Sequence, residues 1–476
     1  SNGVLAENMI TDIYGQDGKL LLTYKADKEE IKPLPNPAEA AKDPKEIASI
    51  EQLFLTGLHL EQYRHATYNP MDYYEEALSR EPGDVRCNNA MGLLWMRKGE
   101  FAKAEVHFRT AIKTLTQRNP NPYDGEPYFN LGWSCRMQGK IDEAYDAFYK
   151  AAWNAAWQDA SYFEIARIET IRGEYEKALE SVEKSLTRNW HHHKARQLKC
   201  SLLRKMKYNE KAVAFADASL EIDSFNMGCR YERYLASGEN SDLEKLKELM
   251  RDWSHGYIEY ALDFVAGGLY EEAAGLLGLY LQDVEKVYPI IYYLLGYICM
   301  KQSNPSLAQE YFVKAEKCDS AYCFPNRIEE VLILQEAVRQ KPTDAKAVYY
   351  LGNFWYASRR YENAESCWEQ SATIDPEFPT VWRNLSLAYY NKCNNREKAV
   401  AALEKAFALD NTDARILMEL DQLYKKVGRS YAERLIFLEK HVALVESRDD
   451  LALERITLYN QLGRYSEAKA LLAARK

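Results

Sequence analysis

A chain of 476 residues with a formal net charge of −9, 62 Lys+Arg against 71 Asp+Glu and no dense basic run excludes general binding to nucleic acid or to an anionic membrane. Hydrophobic residues make up 47% and charged residues 28%, the balance of a folded chain rather than a disordered one. The nine Cys are odd in number and lack a CxxC pair, and Cys135, Cys200 and Cys299 sit inside apolar helical patterns; they read as buried free thiols of a cytoplasmic protein, not a disulfide framework.

In chain order, residues 9–25 (MITDIYGQDGKLLLTYK) give two β-rich runs around an Asp17-Gly18 turn, the pattern of a hairpin. One hairpin is barely stable alone, so residues 1–31 are expected to be the end of an upstream β domain. Residues 32–46, opening KPLPNP, read as a semi-rigid linker.

From 47 to 476 the chain is helical and repetitive. AMGLLWMRKGEFAKAEVHFRTAI (90–112), NLGWSCRMQGKIDEAYDAFYKAA (130–152) and YLGNFWYASRRYENAESCWEQSA (350–372) each place a small residue on one helix, a short break, then Ala-x3-aromatic on the next. Small anchors fall at Gly57, Gly92, Gly132, Ala166, Cys200, Ala261, Gly296, Gly352, Ser386 and Asp421; most neighbours are 34 or 35 residues apart, or about twice that where a unit is degenerate. A small residue on helix A (Gly132) and two on helix B (Ala144, Ala151) allow close approach, with Phe148 filling the groove. Gly139 and Gly173 fall where a first helix must stop, and Pro82, Pro342 and Pro376 end second helices. Residues 226–253 form a weak unit, and DSAYCFPNR (319–327) replaces a first helix. Tyr288–Met300 is apolar but too short to cross a bilayer.

This pattern resembles the tetratricopeptide repeat, two antiparallel helices per unit. It implies an all-α solenoid, a right-handed superhelix of about twelve units cut short at Lys476, with a short hairpin ahead of it. LTGLHLEQYRHATYNP (55–70), LTQRNPNPYDGEPYFNLG (115–132), EAYDAFYKAAWNAAWQDASYFEIA (143–166), YCFPNRIEE (322–330) and DPEFPTVWRNLSLAYYNK (375–392) go further. They look like the repeat half of a family of large bacterial proteins of undefined role. In that family a mutarotase-like β-rich domain precedes the array, an arrangement that implies a link to carbohydrate metabolism.

No P-loop, G-x-S-x-G elbow, HExxH or dinucleotide fingerprint is present; the Gly-rich stretch 266–278 lacks GK[ST]. Without a nucleophile–base–orienter set, no catalytic residue, cofactor or metal site is expected in the array. His191–His193 reads as a solvated turn entering the next helix rather than a metal site. His59, Glu61, Tyr63 and His65 read as polar sealing of the array's first face rather than a base–carboxylate pair. Trp153 and Trp157, four apart, read as packing between units rather than a sugar platform.

The concave face carries the functional expectation. By offset from the anchors it holds Arg86, Asn89, Arg97, Phe129, Trp133, Arg136 and Arg167 in the first half, and Tyr349, Asn353, Tyr356, Arg383 and Tyr390 in the second. Arginine forks and flat rings suit carboxylate, phosphate or sugar. Tyr349 stands where a carboxylate clamp beside Asn353 needs Lys. The loop RNPNPYDG (118–125) is about six residues longer than the repeat requires, and its rigid polar make-up presents Tyr123 and Asp124 for contact. The expected function is a non-catalytic scaffold that binds a protein or peptide partner, or its own upstream β domain, through this groove. The alternative is the helical half of a carbohydrate-active enzyme whose chemistry lies in that domain.

Overall fold

The computed structural model describes residues 9–26, 34, 37, 39–63, 65 and 67–474. Two strands, β1 (Ile10–Tyr14) and β2 (Leu20–Lys25), form an antiparallel hairpin with a register shift at Ile13/Tyr14. Gly18, at φ 75°, makes its turn, and Asp17 accepts the Lys19 N–H at 3.1 Å. Part of the linker expected at 32–46 lies outside the described residues; its end, Pro44–Glu46, is a turn of 3₁₀ helix.

From residue 50 on, the described residues form an α-solenoid. Helices follow in antiparallel pairs: α1 (Ile50–Gln62) with α2 (Pro70–Arg80), α3 (Val85–Arg97) with α4 (Phe101–Thr116), α5 (Glu126–Met137) with α6 (Ile141–Ala151), and α7 (Gln158–Ile171) with α8 (Tyr175–Arg188). Next come α9 (His193–Lys205) with α10 (Asn209–Ile222), α11 (Met227–Ser237) with α12 (Asn240–Met250), α13 (Ser254–Ala266) with α14 (Tyr270–Asp283), and α15 (Pro289–Lys301) with α16 (Pro305–Lys317). The segment 318–327 is not helical, so α17 (Ile328–Gln340) stands without a first helix and packs against α15 and against α18 (Ala345–Ala357). The last helices are α19 (Tyr361–Ile374), α20 (Pro379–Asn391) with α21 (Arg396–Leu409), α22 (Ala414–Lys426) with α23 (Tyr431–Glu439), the short α24 (Val442–Glu446), and α25 (Asp449–Gln461) with α26 (Tyr465–Ala474). The weak unit at 226–253 is thus a short but complete pair, α11/α12.

The anchors do what their size requires. A Cβ on Gly132 would come within 2.6 Å of the Phe148 ring, and one on Gly57 within 2.5 Å of Tyr74; Gly92, Gly296 and Gly352 face Phe108, Phe312 and Trp368 in the same way. Only a residue without a side chain lets helix A lie this close to the aromatic of helix B. At Asp421 the arrangement is inverted. Its buried carboxylate accepts from Arg434 of α23 at 3.0 and 2.6 Å, so an ion pair fills the gap that a ring fills elsewhere. Cys135, Cys200 and Cys299 are buried and free. Among the described residues no helix is long and apolar enough to cross a membrane.

Candidate functional site

The concave face is not an open groove, because the solenoid bonds to itself across it. On α7, Glu164 and Arg167 are one turn apart and share a face, joined at 2.9 Å. The other oxygen of Glu164 accepts from Arg136 of α5. Arg167 continues to Asp263 of α13 at 2.8 Å, and Lys194 at the start of α9 reaches the same carboxylate at 2.8 Å. Arg136 also donates to the carbonyl of Ala266, at the negative end of the α13 dipole. Burial pulls Arg136 below the usual guanidinium range, and the Glu164 carboxylate works against that fall. One chain of charges therefore ties α5, α7 and α9 to α13. A second tie lies further out: Arg360 pairs with Glu100 at 2.5 Å and donates to the Lys98 carbonyl at 3.0 Å. Trp355 covers the α3–α4 turn there, with its ring 3.1 Å from where a Cβ on Gly99 would stand.

What remains inside is a cavity of about 950 Å³. Its first wall is Phe129, Trp133 and Arg136 with Phe163, Glu164 and Arg167; its second is Leu262, Asp263 and Val265 of α13, Tyr297 and Lys301 of α15, and Glu329, Leu332 and Gln335 of α17. Arg327 closes one end, bonded to Glu259 and, at 3.0 Å, to Glu330. Burial raises the Glu329 carboxyl, with Arg167 and Lys194 acting in the opposite direction. Glu329 and Lys301 form no ion pair among the described residues.

Of the residues expected on the concave face, Phe129, Trp133, Arg136 and Arg167 come together in this cavity. The others do not join them. Arg86 pairs with Glu51 at 2.6 Å, and Arg97 pairs with Glu61 at 2.5 Å. Asn89 donates to Glu126 at 2.8 Å and accepts from Asn130 at 2.9 Å. Tyr349 is buried; its hydroxyl takes Asn384 at 3.4 Å. Asn353 accepts from Trp368 at 3.2 Å, and Tyr356 lies 5.3 Å from the same ring. Arg383 grips Glu419 at 2.6 and 2.5 Å and, with Tyr390, lines a small pocket of about 170 Å³. Each expected arginine thus holds a carboxylate of this chain. Sequence reasoning missed the second wall, although the anchor offsets that select Trp133 and Arg136 from Gly132 also select Leu262 and Val265 from Ala261, and Tyr297 from Gly296.

The long loop before α5 is locked rather than loose. Asp124 accepts the Glu126 N–H at 2.9 Å and so starts the helix. Lys150 donates to Asn121 at 2.6 Å, and Asn154 donates to the Tyr123 carbonyl. Gly125 fits closely under Ala151, Asn154 and Trp157. Trp153 and Trp157 do not share a helix face, because residues 152–157 leave the α-helix: Trp157 packs 4.8 Å from Phe129, while Trp153 points outward.

His192 caps α9 by accepting the Ala195 N–H at 3.2 Å, so the His triplet is a turn entering a helix. Glu61 turns to Tyr74 at 3.3 Å and to Arg97, while His65 accepts the Thr67 and Tyr68 N–H groups at 3.2 and 3.1 Å. Glu105, Cys135 and Glu143 bring ligand atoms within 4.8 Å of one another, but Arg109 already binds both carboxylates and burial pushes the Cys135 thiol up to about 11.

Two stretches, 290–322 (α15/α16) and 380–413 (α20/α21), match the family model described as "Tetratricopeptide repeat". Among solved structures, a tetratricopeptide repeat protein from Parabacteroides merdae is 22% identical over 54% of this chain and 98% of its own, with a TM-score of 0.33. YrrB, titled a TPR protein with an unusual peptide-binding site, is 21% identical over 50% of this chain and 97% of its own, at a TM-score of 0.19. The Naa15/Naa10 complex bound to HypK-THB is 14% identical over 89% of this chain and 68% of its own, at 0.30. The family match identifies these two helix pairs as tetratricopeptide repeats, and the other pairs share their arrangement.

Proposed function

We propose that this tetratricopeptide-repeat chain is a non-catalytic scaffold that holds part of a partner protein in its interior cavity. The observation that supports it is the cavity itself. At about 950 Å³ it is at the upper end of the ligand-pocket range, large enough for a side-chain cluster or short segment and too small for a folded domain. Its apolar and aromatic walls bury a nonpolar insert, while Lys301 and Glu329 stay available for the partner's polar groups.

Gln335, exposed and lining the cavity, is the place to test this. Gln335→Trp should block the interior without disturbing the core. The wild-type chain, used as bait in lysate of the native cells, should retain a protein that the variant loses, with equal helical circular dichroism and thermal midpoint. Equal retention by both, or none by either, rejects the cavity as the site.

A second contact has its own observation. Every residue of both strands of the hairpin is exposed, including Ile13, Leu22 and Tyr24 on one face. Two strands so uncovered are marginal in water, so we propose that they complete a β sheet outside residues 9–26, the interdomain role of the array.

A further inference from the structure

Charged side chains line the cavity from end to end, and nearly all of them are bonded to one another. Those that join α5, α7 and α9 to α13 form one continuous chain. Arg327 holds Glu259 and Glu330. Arg339 grips Glu336 at 2.6 Å, and Gln340 adds a bond to the same carboxylate at 2.8 Å. His192 caps α9, and its burial disfavours the charged ring. Two ionised groups of the cavity are left without an ion pair among the described residues, Glu329 and Lys301. They are opposite in sign.

Their spacing comes from α17. Glu329, Leu332 and Glu336 stand at i, i+3 and i+7, so they share one face of that helix. Seven residues at ~1.5 Å each put Glu329 and Glu336 ~10.5 Å apart along it. Lys301, in the last turn of α15, stands at the Glu336 end. Burial acts to raise the Glu336 carboxyl, but the bonds from Arg339 and Gln340 hold it low, and the Lys301 charge adds to them. Tyr270 and Tyr297 line the same end, with the Lys301 ammonium 5.0 Å from the Tyr297 ring centre. Glu329 lies at the other end, in the first turn of α17. The cations that act on it there, Arg167 and Lys194, are already bonded to Glu164 and Asp263. Between the two ends the wall is apolar, with Leu332 on α17 and Leu262 and Val265 on α13.

We propose that the cavity selects an extended partner segment with a basic side chain and, three residues away, an acidic one, with apolar residues between them. The inference rests on the scaffold reading, which supplies the site; it adds the chemistry of what enters. Three observations select this occupant. The free charges are one of each sign, so an insert of a single sign, or of none, leaves at least one of them desolvated and unpaired. The gap between them fits an extended chain. With three residues per turn at ~3.1 Å each, such a chain carries its first and fourth side chains on one side, ~9.3 Å apart. The apolar wall between Glu329 and Lys301 then receives the two residues in the middle.

The probes are acetyl-Lys-Leu-Leu-Glu-amide and its reverse, acetyl-Glu-Leu-Leu-Lys-amide, titrated into the full chain by calorimetry. At least one should bind saturably, and acetyl-Gln-Leu-Leu-Gln-amide at least ~10-fold more weakly. Glu329→Gln should weaken the bound peptide at least ~5-fold, yet make no difference to the same peptide with Gln in place of its Lys. Lys301→Gln should behave in the same way toward the peptide's Glu. Such non-additivity marks direct pairing, which a change of fold does not imitate, and circular dichroism should stay unchanged. No binding of either mixed-charge peptide, equal binding of the uncharged one, or equal losses for both peptides in a variant overturns the proposal. So does saturable binding of ω-aminooctanoic acid with neither peptide, which would make the cavity a small-molecule site. Failure here with partner capture still lost in Gln335→Trp leaves the cavity scaffold standing.

Discussion

Arg136 and Arg167, on the first helices α5 and α7, reach a carbonyl and a carboxylate on α13, 130 and 96 residues away, whereas Arg383 on α20 reaches Glu419 on α22, 36 residues away. All three are arginines expected on the concave face of a first helix. For Arg136 and Arg167 the guanidinium spans the interior; for Arg383, as for Arg86 and Arg97, it joins adjacent units. A repeat position therefore fixes which way a side chain points, not what it meets. What it meets depends on how far the superhelix has turned by the time another wall comes opposite.

Removing one arginine from each half sharpens the contrast. Arg434→Ala strips a 1%-exposed guanidinium from Asp421 and Glu454 and leaves a buried carboxylate unpaired, a loss of about 3–5 kcal/mol. Urea unfolding should show that loss, while small-angle scattering gives an unchanged radius of gyration. Arg167→Ala costs less, about 1.5–3 kcal/mol, because Glu164 keeps Arg136 and Asp263 keeps Lys194. It should, however, loosen the molecule slightly, since one of the three ties to α13 is cut while those of Arg136 and Lys194 remain. If Arg434→Ala expands the chain and Arg167→Ala does not, the assignment of Arg167 as the spanning tie and Arg434 as the local one is wrong.

The smallest effect is a pH dependence. Burial acts to raise the Glu105 carboxyl, but hydrogen bonds from Lys140, Arg109 and Gln138 outweigh it and hold it at about 2. A carboxylate depressed in the folded state adds stability above its unfolded value, near ~4.3, and loses it as the pH falls toward about 2. The urea midpoint of the wild type should fall more steeply across that window than that of Glu105→Gln.

Much of the fold was legible because its determinants are local. A Gly–aromatic pair such as Gly132/Phe148 leaves a mark at fixed spacing, and so does a Gly turn such as Gly139. The 319–327 gap was visible as a missing period, and the hairpin as two β runs around Asp-Gly. The site was legible in part. Trp133, Arg136 and Arg167 were selected by their offset from an anchor, but their partners could not be. Asp263 and Ala266 lie about a hundred residues on, and the distance between the two walls depends on small rotations accumulated over several units, which no single repeat encodes. The same limit explains why five arginines expected to await a ligand each turned out to hold an internal carboxylate. Trp153 was misplaced for a local reason: Asn154 caps a 3₁₀ turn by accepting the Ala156 N–H at 2.9 Å, which breaks the helical phase assumed between Trp153 and Trp157.

The packing of Trp355 over Gly99, with Arg360 on the Lys98 carbonyl 262 residues away, constrains how the chain can assemble. Arrays of this kind fold quickly because almost every contact is with the adjacent unit, and growth can start anywhere. This contact, like the ties of α5, α7 and α9 to α13, obeys neither rule. It needs all the units between to have set the curvature, so its loop-closure entropy is larger than that of the shorter ties to α13. Until α18 and α19 exist, the α3–α4 turn stays uncovered as the chain emerges. A mutation that alters curvature anywhere between them is felt at both ends, so the linear array responds to damage as a ring does.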